Sequence, residues 1–223
     1  MQQMSAMEEL ARDPASRRSF LRKVGGAGAA GSFALFLAAC GSKKTQPTPG
    51  GSDPKTGAGT GTDRYGKGDL GIALYALELE YIETDFYSKA IATGKLSGSL
   101  LDLAKRFQAQ EAQHVAALEA YVTQHGGEPP DKPQTKFSLT SAATILQQAV
   151  TFENLGASAY LGQVPRIVDK ELLAAALTIH SVEGRHAAAL SVAAGLDPTP
   201  DGAFSTAQTA TNVIAAIQPN LVA

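Results

Sequence analysis

The stretches EAQH at residues 111–114 and EGRH at residues 183–186 are two copies of one short motif, Glu-x-x-His, and both lie in segments with helical periodicity. Side chains three positions apart share a face of a helix, so each Glu and His can point together into the interior of a helix bundle. The chain has 223 residues and only 4 His, two of which follow a Glu at this spacing. The motif pair therefore predicts inward-facing carboxylates and imidazoles on two helices.

A longer pattern repeats around these two motifs. Glu80 comes about thirty residues before Glu111, and Glu153 comes about thirty residues before Glu183. A tyrosine stands seven positions after each of the two earlier glutamates, at Tyr87 and Tyr160. The chain thus contains two hairpins of the same pattern, Glu-x6-Tyr followed by Glu-x-x-His.

Four long segments are rich in Ala, Leu, Glu and Gln and contain no internal proline, which favours helix over strand. They cover residues 69–93, 97–125, 140–164 and 167–194. Asp69 and Ser97 are predicted N-caps, and His125 a C-terminal cap. The first and last connections are only two or three residues long, so the helices that they join must be antiparallel neighbours.

The middle connection, residues 126–139, has a different character because it contains three prolines. An extended chain of this length reaches about 46 Å at roughly 3.3 Å per residue, whereas a helix of about 28 residues is about 42 Å long. The connection can therefore cross the whole bundle. The sequence predicts an all-α bundle at 69–194, made of two antiparallel hairpins joined by a long crossover, with a C-terminal extension at 195–223 that contains a short helix near 205–217.

Residues 69–194 resemble the ferritin-like superfamily, which includes ferritins, rubrerythrins and manganese catalases, because Glu and Glu-x-x-His recur on four helices in this order. Within it, LEYIE at 79–83 followed by Phe86 and Tyr87 resembles the exported bacterial and plant desiccation-related branch. The resemblance implies a centre of two metal ions, with iron expected and manganese as the alternative. The implied ligands are Glu80, Glu111, His114, Glu153, Glu183 and His186.

Other polar residues near these positions have open roles. Tyr87 and Tyr160 are expected to hydrogen-bond to ligands on neighbouring helices. Glu83 shares the face of Glu80. It could be a further oxygen donor beside the six expected ligands, a proton-relay group or simply an exposed side chain. An exposed side chain or a support for a ligand is favoured. His180 lies one turn before Glu183 and is a candidate extra ligand or support.

The N-terminal region predicts export. Arg17 and Arg18, followed by a weakly apolar stretch, resemble a twin-arginine signal. LAAC at residues 37–40 resembles a lipobox, which makes Cys40 the expected site of lipid attachment. Residues 1–39 are thus a predicted signal peptide and 40–68 a flexible tether, poor in apolar side chains. The expected partners are the twin-arginine export machinery and the membrane, with the protein lipid-anchored in the cell envelope.

Two functions from different classes are compatible with these patterns. The first is an oxidoreductase that oxidises ferrous iron or consumes oxygen or peroxide, or is catalase-like if it binds manganese. The second is a non-catalytic metal-binding or metal-free interaction module that serves stress or desiccation protection. A formal net charge of −2 does not indicate a nucleic-acid partner. A homodimer remains open.

Overall fold

The computed structural model describes residues 61–222, which form a four-helix bundle with a short fifth helix. The long helices are α1 (Gly68–Ala92), α2 (Gly98–Gln124), α3 (Ala142–Gln163) and α4 (Lys170–Ala193), and α5 is Ala210–Ile217. The predicted all-α class and helix order are confirmed, with each long helix beginning or ending within about three residues of its predicted position.

Two contacts at opposite ends of α1 establish the topology. The Asp69 carboxylate at its start accepts hydrogen bonds from the backbone N–H groups of Val168 and Asp169, which precede α4. Beyond its other end, Lys95 Nζ donates to the carbonyl oxygen of Leu139, just before α3. Helices α1 and α4 therefore run in one direction and α2 and α3 in the other. The connection 126–139 crosses the length of the bundle, as predicted.

The helix ends differ in detail from the predicted caps. Ser97 and His125 are the N-cap of α2 and its C-cap, as expected. The prediction for Asp69 is wrong, because the N-cap of α1 is Lys67 and Asp69 lies in the first turn. The Asp69 side chain instead ties α1 to the turn before α4, a tertiary contact that local sequence rules do not contain.

Apolar side chains form one cluster toward each end of the bundle. One cluster includes Leu77, Leu118 and Ile179, and the other includes Phe86 and Phe107. Burying such side chains contributes about 1.5–3 kcal/mol each. The middle of each helix, between the two clusters, is where the predicted polar site falls.

The C-terminal segment packs along the side of the bundle. Val213 and Ile217 of α5 are buried against Tyr75 and Leu79 of α1 and Ala159 of α3. The backbone N–H of Gln208 donates to the carbonyl oxygen of Ser158, and Leu221 forms an antiparallel bridge with Thr135 of the crossover. The predicted helix at 205–217 is shorter than expected, since it begins at Ala210 after the N-cap Thr209.

The end of the predicted tether packs against α1. Thr62 is buried, Arg64 Nη2 lies 3.0 Å from Glu78 Oε2, and the Tyr65 ring meets the Tyr75 ring edge-on at 5.7 Å. Residues before the predicted boundary at 68 therefore pack on the bundle, because Tyr65 supplies apolar surface to a segment that has little elsewhere. Within residues 61–222, no helix combines the length and the hydropathy needed to cross a membrane.

We expect Gly162→Ala to destabilise the protein, because a Cβ at this position would lie 1.9 Å from the Gln208 carbonyl oxygen. Forcing that backbone away should cost about 1–3 kcal/mol of the free energy of unfolding. Gly184→Ala is the matched control, since a Cβ there meets no atom within 4 Å and should add up to about 1 kcal/mol through helix propensity. Urea unfolding of both metal-free variants measures the difference, and equal effects would contradict the packing argument.

Candidate metal centre

The four helices each place one glutamate near their midpoint, and the four carboxylates meet in the interior. Glu80, Glu111, Glu153 and Glu183 have no solvent-exposed surface. A histidine follows on the next turn of α2 and α4 because the Glu-x-x-His spacing keeps both side chains on one face. All six predicted ligands therefore lie together, between the two apolar clusters.

The six residues form two adjoining groups. The first consists of Glu80, Glu111, His114 and Glu183, and the second of Glu111, Glu153, Glu183 and His186. In each group, one ligand atom from every residue lies within 4.8 Å of the others. Glu111 and Glu183 belong to both groups, so these two carboxylates stand between two neighbouring positions for a cation. The two hairpins of the sequence repeat thus produce a site with approximate twofold symmetry.

Both imidazoles turn the same nitrogen toward the carboxylates. His114 Nδ1 lies 2.8 Å from Glu111 Oε2 and 3.2 Å from Glu80 Oε2. His186 Nδ1 lies 2.9 Å from Glu111 Oε1 and 3.1 Å from Glu153 Oε2. Each ring therefore presents Nδ1 to the place that a metal ion would occupy.

Gln110 is a site residue that the sequence patterns did not indicate. Its Oε1 lies 2.7 Å from His186 Nε2. Because an amide oxygen only accepts, Nε2 carries a proton, and a neutral His186 then has its free lone pair on Nδ1. The equivalent position in the other hairpin is Val182, whose side chain has no polar atom. The only local signal was the position of Gln110 directly before Glu111.

Two tyrosines link α1 and α3 through the outer carboxylates. Tyr87 on α1 donates a hydrogen bond from its hydroxyl to Glu153 Oε1, and Tyr160 on α3 donates to Glu80 Oε1 at 2.5 Å. Burial, reinforced by the nearby carboxylates, raises the pKa of both phenols well above the usual range. Both hydroxyls therefore stay protonated and hold the carboxylates in place.

Three buried carboxylate oxygens accept no hydrogen bond from residues 61–222: Glu111 Oε1 and both oxygens of Glu183. His186 Nδ1 is 2.9 Å from Glu111 Oε1, and His114 Nδ1 is 3.3 Å from Glu183 Oε1, but neither approach has hydrogen-bond geometry. Buried charged groups without partners are costly. Metal cations would supply the missing charge, and carboxylate with imidazole is a common donor set for them. The residues present therefore fit a two-metal centre.

The carboxylates hold protons when no cation is bound. Burial raises the pKa of Glu80 to about 7 despite the opposing charge of His114. Burial also raises the pKa of Glu153, and that of Glu183 well above the usual range, where Glu153 and Glu111 add their repulsion. Glu111 is the exception: burial acts against ionisation, but the hydrogen bond from His114 and the close positive charge of His186 lower its pKa to about 2.

The two imidazoles also hold an extra proton, because the neighbouring carboxylates stabilise their charged form. Burial alone would lower the pKa of His186, but the hydrogen bond to Glu153 and the close negative charges of Glu153 and Glu111 raise it to about 9. The pKa of His114 is also raised, since Glu80 and Glu111 outweigh the effect of burial. Metal binding must therefore displace protons from this centre.

The structure limits the roles of Glu83 and His180, two of the residues whose roles the sequence left open. Of the two roles favoured for Glu83, exposure is wrong, because Glu83 is 5% exposed and faces Gly156 beside Glu183. Its role as a support for a ligand stays a prediction. Burial, with repulsion from Glu183, raises its pKa well above the usual range. His180 belongs to neither ligand group, because its Nδ1 pairs with the Ala157 carbonyl oxygen at 2.9 Å. The alternative of an extra ligand is therefore not supported, and the role of His180 as a support for a ligand stays a prediction. Arg17, Arg18 and Cys40 lie outside the described residues.

This fold and this site define a class: four-helix bundles whose interior presents four glutamates and two histidines that could hold metal ions. The chain belongs to the Ferritin-like domain family, whose sequence profile matches residues 68–196. The crystal structure of a conserved hypothetical protein from Mycobacterium tuberculosis is similar, with a TM-score of 0.52 and 19% identity over 57% of this chain and 90% of that one. At that identity the similarity concerns the fold alone. A comparison with curated proteins gave no match.

The metal-free protein should lose stability as the pH rises from about 5 to about 8. The raised pKa values of Glu80, Glu153 and Glu183 mean that the folded protein keeps protons that the unfolded chain has released above about 4.3. His186 acts in the same direction above about 6.5. Since the unfolded state then binds fewer protons, the free energy of unfolding falls with pH.

Thermal unfolding at three pH values, with and without bound metal, tests this expectation. Bound cations replace the protons, so the metal-loaded protein should show a smaller decrease. A metal-free protein whose melting temperature is constant or rises between pH 5 and pH 8 would contradict the electrostatic description of the centre.

Proposed function

We propose that the bundle binds two iron ions and oxidises ferrous iron with dioxygen or hydrogen peroxide. The observation that carries the proposal is the pair of adjoining ligand groups that share Glu111 and Glu183. Each group supplies three carboxylates and one imidazole, so each could hold one cation, with Glu111 and Glu183 common to both groups. Manganese suits the same donors, and a manganese-loaded protein would be catalase-like.

The reaction balances without any other cofactor. Two ferrous ions give up one electron each, and dioxygen takes both electrons with two protons to form hydrogen peroxide. With hydrogen peroxide as the oxidant, the same two electrons and two protons yield two water molecules. Iron is the substrate in both cases, and the protein provides the ligands, the orientation and the enclosed space.

The surrounding side chains keep the ligands oriented. Tyr87 and Tyr160 hold the outer carboxylates, and Gln110 fixes the His186 tautomer. The Phe107 ring also stacks on His186, with ring centroids 3.9 Å apart and planes 23° from parallel. Ligands held in this way bind metal more tightly, and loss of such support typically costs about 10–100-fold in affinity or activity.

His114 is the most exposed of the six donors, at 9% of its surface, and the glutamates have no exposed surface. A ferrous ion from solvent would therefore meet the first group, which contains His114, before the second. Because apolar clusters fill both ends of the bundle, we propose that ferrous ions enter beside His114.

The Glu111→Ala, Glu183→Ala double variant tests the proposal, because it removes both shared carboxylates. Bound iron should fall from two ions per chain to fewer than one, and ferrous oxidation should fall by more than the roughly 10–100-fold typical of supporting residues. Metal analysis and anaerobic loading followed by addition of dioxygen or peroxide give the two readouts. Glu128→Gln is the control, since Glu128 is exposed in the crossover.

Each result has a distinct meaning. Two bound ions without oxidation in the wild type would favour the alternative, a metal-binding module that does not catalyse. Equal metal content and equal rates in the wild type and the double variant would contradict a metal centre at these residues.

We also propose that the protein is exported by the twin-arginine route and attached to the membrane by lipid on Cys40. The support is the sequence around Arg17 and Arg18 and the lipobox-like LAAC at 37–40. Export of folded protein by this route would allow the centre to be loaded with metal in the cytoplasm.

Cys40→Ser should release the protein from the membrane fraction into the soluble envelope fraction. Cys40 is the single cysteine of the chain, so no other thiol can carry the lipid. Fractionation followed by immunodetection measures the change, with the Arg17→Lys, Arg18→Lys variant expected to stay inside the cell. Persistence of Cys40→Ser in the membrane fraction would count against lipid anchoring.

A further inference from the structure

Glu83 is a buried carboxylate next to the proposed metal centre and is not among its six expected ligands. It lies one turn after Glu80 on α1, on the same side of the helix. The hairpin repeat that aligns Glu80 with Glu153 aligns Glu83 with Gly156 on α3. One hairpin therefore has a carboxylate where the other has no side chain.

These two positions face each other across the bundle. A Cβ on Gly156 would lie 2.9 Å from Glu83 Oε1 and 2.8 Å from Glu183 Oε2. Both distances are shorter than real Cβ atoms show, so any larger residue would push the carboxylates away. The missing side chain at 156 is what allows Glu83 to approach Glu183.

The surroundings of Glu83 supply negative charge and apolar walls. A small cavity beside it is lined by Leu79, Ile82, Phe152, Leu155 and Ile217. The side chains with the strongest electrostatic effect on Glu83 are all carboxylates, with Glu183 first, followed by Glu80, Glu153 and Glu111. An ionised Glu83 in such a place needs a cation close by.

Glu183 provides the independent sign that a cation belongs there. It is fully buried, and neither of its oxygens accepts a hydrogen bond from residues 61–222. Its Oε2, which lies 2.8 Å from the position of a Cβ on Gly156, is the oxygen on the side where Glu83 approaches. A cation bound by Glu183 Oε2 would therefore lie close to Glu83.

The charge balance between the carboxylates and the metal ions indicates when the negative charge of Glu83 would be needed. Four carboxylates, Glu80, Glu111, Glu153 and Glu183, balance two divalent ions, whereas two trivalent ions carry two further positive charges. We propose that Glu83 is a fifth carboxylate of the metal centre, which binds next to Glu183 when the iron ions are ferric. This assignment rests on the proposed function. The electron lost by each ferrous ion goes to dioxygen or peroxide, and the Glu83 carboxylate offsets one of the added charges.

The Glu83→Gln variant keeps the shape of the side chain and removes its charge. Its ferrous loading should remain at two ions per chain, because the six other ligands are unchanged. Ferric binding should weaken at least about tenfold relative to ferrous binding, which raises the midpoint potential by about 59 mV for a one-electron couple. Anaerobic redox titration of the iron-loaded, full-length protein measures this shift.

Glu78→Gln is the matched control. It removes the same charge from the same helix, but Glu78 lies in an ion pair with Arg64, whose side chain is 43% exposed. The midpoint potential of this control should therefore stay close to that of the wild type, since water screens the charge. An equal shift in both variants would mean that any negative charge on α1 acts at long range, and would overturn the assignment of Glu83 as a ligand.

Gly156→Ala provides a second test that keeps Glu83 in the chain. The added methyl group would occupy the space between Glu83 and Glu183, and alanine is favourable in a helix. Its midpoint potential should move in the same direction as that of Glu83→Gln. Unchanged potentials in both variants, with two iron ions bound, would overturn the proposal for Glu83 alone. Absence of iron from the wild type would overturn the proposed function and, with it, this assignment.

Discussion

The rest of the structure depends on the burial of four glutamates at one point in the middle of the bundle. Like charges repel strongly when water is absent, so this arrangement needs compensation. Two histidines pair with the carboxylates, and two tyrosines donate hydrogen bonds to the outer pair. Three carboxylate oxygens still lack a donor among the described residues. The apolar clusters at both ends stabilise the helices around a centre that is unfavourable without cations.

The centre departs from the symmetry of its two hairpins at two positions. Gln110 supports His186, whereas the equivalent Val182 cannot support His114 in the same way. Glu83 approaches the centre where the equivalent Gly156 leaves space. Both differences would make the two proposed cation positions chemically unequal, although the six expected ligands are arranged as a repeat. Such inequality is a route by which two neighbouring ions can differ in affinity and in redox behaviour.

Most of the fold could be predicted, because the relevant signals are local. Helical composition, the absence of internal proline and the short turns indicate four helices in two hairpins, and the length of 126–139 indicates the crossover. The packing of residues 62–65 on α1 and the role of Asp69 could not be predicted, since both depend on contacts with residues distant in the sequence. Arg64 and Tyr65 pack on α1, and Asp69 binds the turn before α4. The C-terminal segment follows α3 closely because Gly162 leaves room for it.

The sequence by itself determined which six residues meet, since a repeated spacing on a regular helix places side chains on one face whatever surrounds them. Only the tertiary structure decided the roles of the neighbours. Glu83 and His180 are each one helical turn from a proposed ligand, yet Glu83 turns inward over Gly156 and His180 turns to the Ala157 carbonyl oxygen. Helix periodicity limits a side chain to a face, but the space and the partners on the opposite helix determine whether it reaches the centre. Those partners come from elsewhere in the chain, so only the folded structure contains that information.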